Sequence, residues 1–182
     1  MPEPNVYVIS PSKDSTVAVE VLKSGLLGRK KKHILSFENF SGQICFVADN
    51  PAASQIVLTV DASSVVCRDI RISERERRAI TGFAREEALA ANLHPEIRYA
   101  STCIRAKELR GFVVNGTLQI RGITREVKLN MGWSPKRDNE FQLDGDATLR
   151  LSDFDLPRPS AKLGLVKTVD EVMVQLLLWA TK

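Results

Sequence analysis

The stretch Val114-Asn115-Gly116-Thr117-Leu118-Gln119-Ile120-Arg121-Gly122-Ile123-Thr124-Arg125-Glu126-Val127-Lys128-Leu129-Asn130-Met131 decides the fold class. Val114, Leu118 and Ile120 alternate with Asn115, Thr117, Gln119 and Arg121. Beyond a turn expected at Gly122-Ile123-Thr124, Val127, Leu129, Met131 and Trp133 alternate with Glu126, Lys128 and Asn130. Successive side chains of a strand point to opposite faces, so a period of two marks a sheet with one buried and one wet face. The short connection makes this pair an antiparallel hairpin.

The same rhythm extends in both directions. Val17, Val19 and Val21 share a face, and Ile56, Leu58 and Val60 oppose Thr59 and Asp61. Phe141, Leu143, Ala147 and Leu149 oppose Gln142, Asp144, Asp146 and Arg150, and Val172, Val174, Leu176 and Leu178 form one face of a last strand. Roughly eight to ten strands follow. A twisted sheet of that size tends to curl and close, which also removes its edges, although a sandwich fits the same pattern. The expectation is an all-β fold with minor α content, in one domain spanning residues 1–182. Its 182 residues are enough for a core without staples.

One segment, about residues 73–93, breaks the β rhythm. Ser73-Glu74-Arg75-Glu76 has the form S-x-x-E, in which hydroxyl and carboxylate satisfy the free amides of a helix start. Residues rich in Ala, Glu, Arg and Leu follow, with no proline before Pro95. Gly82 is expected to split the segment into two short helices capping one mouth of a barrel.

Composition excludes several classes. With 43% hydrophobic and 26% charged residues the chain is neither disordered nor membrane-like. Cys45, Cys67 and Cys103 cannot all pair and none has CxxC spacing, so reduced, mostly buried thiols are expected. No basic and then apolar leader precedes the first strand, and a cytoplasmic protein is expected. The net charge of +4 has one local concentration, Arg29-Lys30-Lys31-Lys32 followed by His33. This run reads as a solvated loop or as a docking patch for an anionic head group or membrane.

The usual catalytic signatures are missing: no GxSxG, HExxH, P-loop or GxGxxG occurs. His33 and His94 are too few for a histidine-rich metal site, and no carboxylate pair stands out as acid and base. Neither an enzymatic step nor a cofactor or metal is expected.

Three ordered stretches resemble the YceI-like family. Val60-Asp61-Ala62-Ser63-Ser64-Val65 with Arg68-Asp69 is similar to its strand end and following R-D, and His94-Pro95-Glu96-Ile97-Arg98-Tyr99-Ala100-Ser101 to another strand. Val114 to Val127 resembles its V-G-L-t-i-r-G-v-t-r-v run most closely. Weaker matches are Gly25-Leu26-Leu27 with His33 near the start, and Asp153-Phe154, Ser160 to Gly164 and Val169 to Val172 near the end. The histidine of the family's aspartate-histidine-serine opening is absent, since Lys13-Asp14-Ser15 stands there.

The resemblance implies an antiparallel, eight-stranded, extended lipocalin-like barrel holding an isoprenoid, isoprenoid quinone or fatty-acid-like lipid. Family members can pair as dimers, so a homodimer is a further expectation. A barrel of eight strands is either filled by its own side chains or hollow enough for one small ligand. The expected lining is Val17, Val19, Val21, Ile44, Phe46, Ile56, Leu58, Val60, Ile97, Tyr99, Leu118, Ile120, Val127, Leu129, Phe141, Leu143 and Leu149. Arg29, Lys30, Lys31, Lys32 and His33 would hold a head group or dock at an anionic membrane. The competing reading is a solid basic barrel that binds nucleic acid or another acidic macromolecule. Against it, most aromatic residues fall on apolar strand faces, and nucleic acid is not expected as a partner.

Overall fold

In a computed structural model, which describes residues 5–24, 30–47, 49–107, 111–137, 139–161 and 166–182, the described residues form twelve strands. They are β1 (Asn5–Ile9), β2 (Thr16–Ser24), β3 (Lys30–Phe37), β4 (Phe40–Phe46), β5 (Gln55–Asp61), β6 (Val65–Cys67), β7 (Glu96–Lys107), β8 (Gly111–Ile120), β9 (Ile123–Arg137), β10 (Glu140–Arg150), β11 (Ser160–Ala161) and β12 (Val166–Thr181). Every pairing is antiparallel.

Eleven of the strands make eight staves, because three staves are interrupted, and the short β11 pairs with β12 outside the circle. Both β1 and β2 run along the same side of β12, with Ile9 opposite Ala180 and Thr16 opposite Leu177. On their far side β4 pairs with β1 and β3 with β2, and beyond these β5 pairs with β4 and β6 with β3. The circle continues through β7, β8, β9 and β10 back to β12. The period-two pattern therefore resolves into a barrel, not a sandwich.

The third break explains the Asp61-Ala62-Ser63-Ser64 motif. The Asp61 carboxylate accepts bonds from the Ser63 amide at 2.8 Å and its hydroxyl at 2.7 Å, and these bonds hold its pKa below the usual carboxylate range. Such a side-chain bond two residues ahead imitates a backbone turn. The stave bends there, and Ala62 is driven fully into the core.

The bend leaves β6 without a strand on its outer side, because β7 pairs only with β5 and β8. The helical insertion covers that edge. The Cys67 amide donates to the Thr81 hydroxyl at 2.9 Å, and the Arg85 guanidinium donates to the Val65 carbonyl at 3.3 Å. Covering an unpaired edge with a helix removes a template for aggregation.

Helix α1 (Glu74–Gly82) begins with the capping box read from the sequence: the Glu76 amide donates to the Ser73 hydroxyl, and the Ser73 amide to the Glu76 carboxylate. Gly82 does not split the helix. It has ordinary α dihedrals (φ −59°, ψ −49°), and the backbone continues into a π-helical turn, Phe83–Ala88, short of the expected end near Leu93. Glycine permits a break but does not require one. A Cβ at Gly82 would meet no atom within 4 Å. Gly82→Ala should therefore stabilise the protein by about 0.4–1 kcal/mol in denaturant unfolding, by restricting the unfolded chain.

The β8–β9 turn lies one residue earlier than expected. Arg121 and Gly122, with φ +51° and +77°, form the two-residue loop. Left-handed conformations at both positions match the twist of the flanking strands. The Arg121 guanidinium also donates to the carbonyls of Ala88 and Asp155, each at 3.3 Å, tying this turn to the barrel's caps. All three cysteines are free, but only Cys67 is buried; Cys45 and Cys103 are half-buried.

Candidate functional site

The inward faces of the staves enclose two apolar chambers, one beyond the other. The larger has a volume of roughly 180 Å³ and lies at the end carrying the helical insertion. The smaller, roughly 40 Å³, lies toward the other end. Neighbouring inward positions pass from one to the other: Leu58 lines the larger and Ile56 the smaller, and Leu129 and Met131 are divided likewise.

All seventeen residues expected to line the interior face one of these spaces. Val17, Val19, Val21, Leu58, Val60, Ile97, Tyr99, Leu118, Ile120, Val127, Leu129 and Leu149 belong to the larger chamber. Ile44, Phe46, Ile56, Phe141 and Leu143 belong to the smaller. Inward orientation is what the strand period encodes.

The caps could not be found that way. Ala84, Ala88 and Leu89 of the insertion lie over the larger chamber, joined by Leu151, Phe154 and Leu156 from the β10–β12 connection. Phe154 is only 2% exposed. It is placed by a 3₁₀ turn, Leu151–Phe154, whose Ser152 amide and hydroxyl donate to the Asp170 carboxylate at 2.9 and 2.6 Å. These bonds lower the Asp170 pKa, and they give physical meaning to the Asp153-Phe154 and Asp170 matches in the sequence. An isolated Phe after a strand end carries no periodic signal. Arg150, assigned by alternation to the wet face, also reaches the chamber's rim.

Polar groups are scarce inside. The Tyr99 hydroxyl donates to the Val114 carbonyl at 3.2 Å, and burial pushes its pKa up to about 12. It therefore stays a neutral donor and offers no charge to the interior. The smaller chamber is bordered by packed rings: Trp133 meets Phe141 edge-on at 5.3 Å and Phe46 at 5.4 Å.

Two members of the basic run, Lys32 and His33, meet acidic partners. Arg29 lies outside the described residues, as does the side chain of Lys30. The Lys32 ammonium pairs with Glu20, and the Glu76 carboxyl is lowered chiefly by its hydrogen bonds from Ser73, with a smaller part from exposed Lys31. His33 is buried, its Nδ1 3.0 Å from the Asp69 carboxylate. An ionised carboxylate only accepts, so the imidazole donates from Nδ1. Asp69 also accepts from the Arg71 amide at 3.0 Å and from Arg71 Nε at 2.8 Å. The Arg71 bonds, aided by His33, hold its carboxyl well below the usual range. Lys32 and His33 are thus engaged within the barrel wall. Sequence spacing gave no sign of this cluster, because His33 and Asp69 are 36 residues apart.

The depressed Asp69 pKa fixes a pH dependence. A carboxyl lowered in the folded state stabilises fully above its unfolded value, near 3.9, and loses that contribution as pH falls through the folded value. Asp69→Asn should lower the melting temperature at pH 7 by removing about 3 kcal/mol, as the loss of one buried partner does. Thermal melts of the two proteins should converge as pH drops below about 4.

Among the described residues, no group of three His, Cys, Asp or Glu side chains could hold a metal, and no helix is long and apolar enough to cross a membrane. The sequence matches the YceI-like domain over residues 7–180. It is 27% identical over 146 residues to a UPF0312 protein of Pectobacterium carotovorum subsp. carotovorum, covering 75% of this chain and 72% of that one. The fold is similar to Burkholderia cenocepacia BcnA, with a TM-score of 0.71 at 21% identity over 92% of this chain and 96% of that chain. It is also similar to a polyisoprenoid binding domain from Saccharophagus degradans, with a TM-score of 0.64 at 12% identity over 97% and 99% of the two chains. With a match along almost the whole sequence, and with the family's motifs forming the stave bend, the β8–β9 hairpin and the Phe154 plug, the chain belongs to the YceI-like domain family.

Proposed function

We propose that the protein is a non-enzymatic carrier or store for an apolar chain of the isoprenoid, isoprenoid-quinone or fatty-acid-like class, held inside the barrel. The observation that carries this reading is the larger chamber, which side chains leave open over roughly 180 Å³ and which is walled by carbon. An apolar cavity of about 150 Å³ stays dry and takes up benzene, so this space suits one apolar group as it stands. Burying each methylene gains about 0.8 kcal/mol, so a chain can bind tightly without polar anchors. The similarity in fold to the polyisoprenoid binding domain of Saccharophagus degradans agrees with the reading.

The caps set the route. The π-helical turn and the Phe154 segment, which both lie over the chamber, flank the route that a ligand would take. A polar or anionic head group would stay at the mouth, where Arg150 reaches the rim. Mass spectrometry of an organic extract of the purified protein should reveal a bound lipid, or the lipid-free protein should take up added polyprenyl alcohol at one per barrel. A clean extract combined with no uptake would refute the proposal.

A further inference from the structure

We propose that Tyr99 and Met131 form a partition across the barrel that limits how deeply an apolar chain can reach, so that the larger chamber sets the buried length of the ligand. The inference rests on the binding reading above and names its length selectivity.

Two glycines mark the level. In β8, Gly116 lies between Leu118, which lines the larger chamber, and Val114, which lines the smaller. In β10, Gly145 lies between Ala147 of the larger and Leu143 of the smaller. Each glycine leaves a notch in the wall, and each notch is filled by a side chain from a neighbouring stave. A Cβ on Gly116 would come within 2.6 Å of the Tyr99 Cζ and Oη. One on Gly145 would come within 3.3 Å of the Met131 Cγ.

An eight-stranded barrel of the packed kind is filled throughout by its own side chains. Here, space remains on both sides of the layer, roughly 180 Å³ on one and 40 Å³ on the other. A side-chain layer with voids above and below is a divider. Its two members differ in stiffness. Tyr99 is fixed by its bond to the Val114 carbonyl, whereas Met131 has the adaptable thioether that suits irregular gaps.

The smaller chamber contains its own reporter, since Trp133 lines it. Trp179 alternates with inward Leu178 and Ala180 and lies half-buried outside both chambers, and Trp179→Phe removes its signal. In that background, saturated alcohols of increasing length, each brominated at the chain tip, would be titrated while Trp133 fluorescence is followed. Affinity should rise about fourfold per methylene and then level off once the larger chamber is filled, with Trp133 unquenched. Met131→Ala should move the plateau to longer chains and bring the bromine close enough to quench Trp133.

Quenching of Trp133 by bound long chains without the Met131 change would overturn the partition, and this arm requires no cavity-forming variant to fold. An unmoved plateau in folded Met131→Ala would overturn it as well. Failure to bind a chain of any length would instead overturn the binding reading, and the partition with it.

Discussion

Gly116→Ala is expected to be among the most destabilising single-methyl additions in the protein. The new Cβ would lie 2.5 Å from the Ala100 carbonyl oxygen and 2.6 Å from the Tyr99 ring. Neither neighbour can move cheaply. The carbonyl belongs to the β7 backbone, which is paired with β5 and β8, and the ring is buried and bonded to Val114. Overpacking a tight core costs about 1–3 kcal/mol and sometimes more, and a backbone clash belongs at the upper end. At about 3 kcal/mol, a chain of this size loses roughly 6–12 °C of melting temperature. A thermal melt of Gly116→Ala within a degree or two of the natural protein would show that Tyr99 is not held where it is described. The contrast with Gly82→Ala, which should stabilise, makes the pair a test of packing and not of glycine removal as such.

The second large effect concerns uptake. Ala147 is 3% exposed and its side faces the larger chamber. Ala147→Phe should place a ring in the open space and displace several methylenes of any bound chain. At about 0.8 kcal/mol each, three displaced methylenes reduce affinity by a factor on the order of a hundred. Filling a void commonly adds about 0.5–2 kcal/mol of stability, so the melting temperature should stay level or rise while binding is lost. Loss of binding accompanied by unfolding would contradict the stability half of this expectation, and retained binding in a folded variant would place the ligand elsewhere. Fluorescence titration with a conjugated polyene fatty acid, read beside a thermal melt, separates these outcomes.

The barrel and its lining were legible because inward orientation repeats every second residue. Leu118, Ile120, Val127 and Leu129 fall on one wall by alternation alone. The joining of β1 with β2, β3 with β4 and β5 with β6 into single staves was not legible. Each joint is a short aperiodic turn that reads as the end of a strand. Phe154 and Leu89 escaped for a related reason, since they enter the chamber from turns, where no period exists to betray their direction. The basic run was visible as charge, but the pairing of Lys32 and His33 with acidic groups was not. Glu20 meets Lys32 across a hairpin and Asp69 meets His33 across a bend, and only the fold brings those pairs together. Gly82 illustrates the opposite error: a residue able to end a helix was read as one that must.

The central claim, that an apolar chain is held within the barrel, is tested most directly by methyl-labelled NMR of the protein titrated with a prenyl alcohol. Val17, Leu118, Leu149 and Val174 line the larger chamber, whereas Val6, Val8 and Val57 are exposed on the outer face. Saturable shifts in the first set at one equivalent, with the second set unmoved, are the predicted result. Shifts confined to Val6, Val8 and Val57, or none in either set, would contradict it.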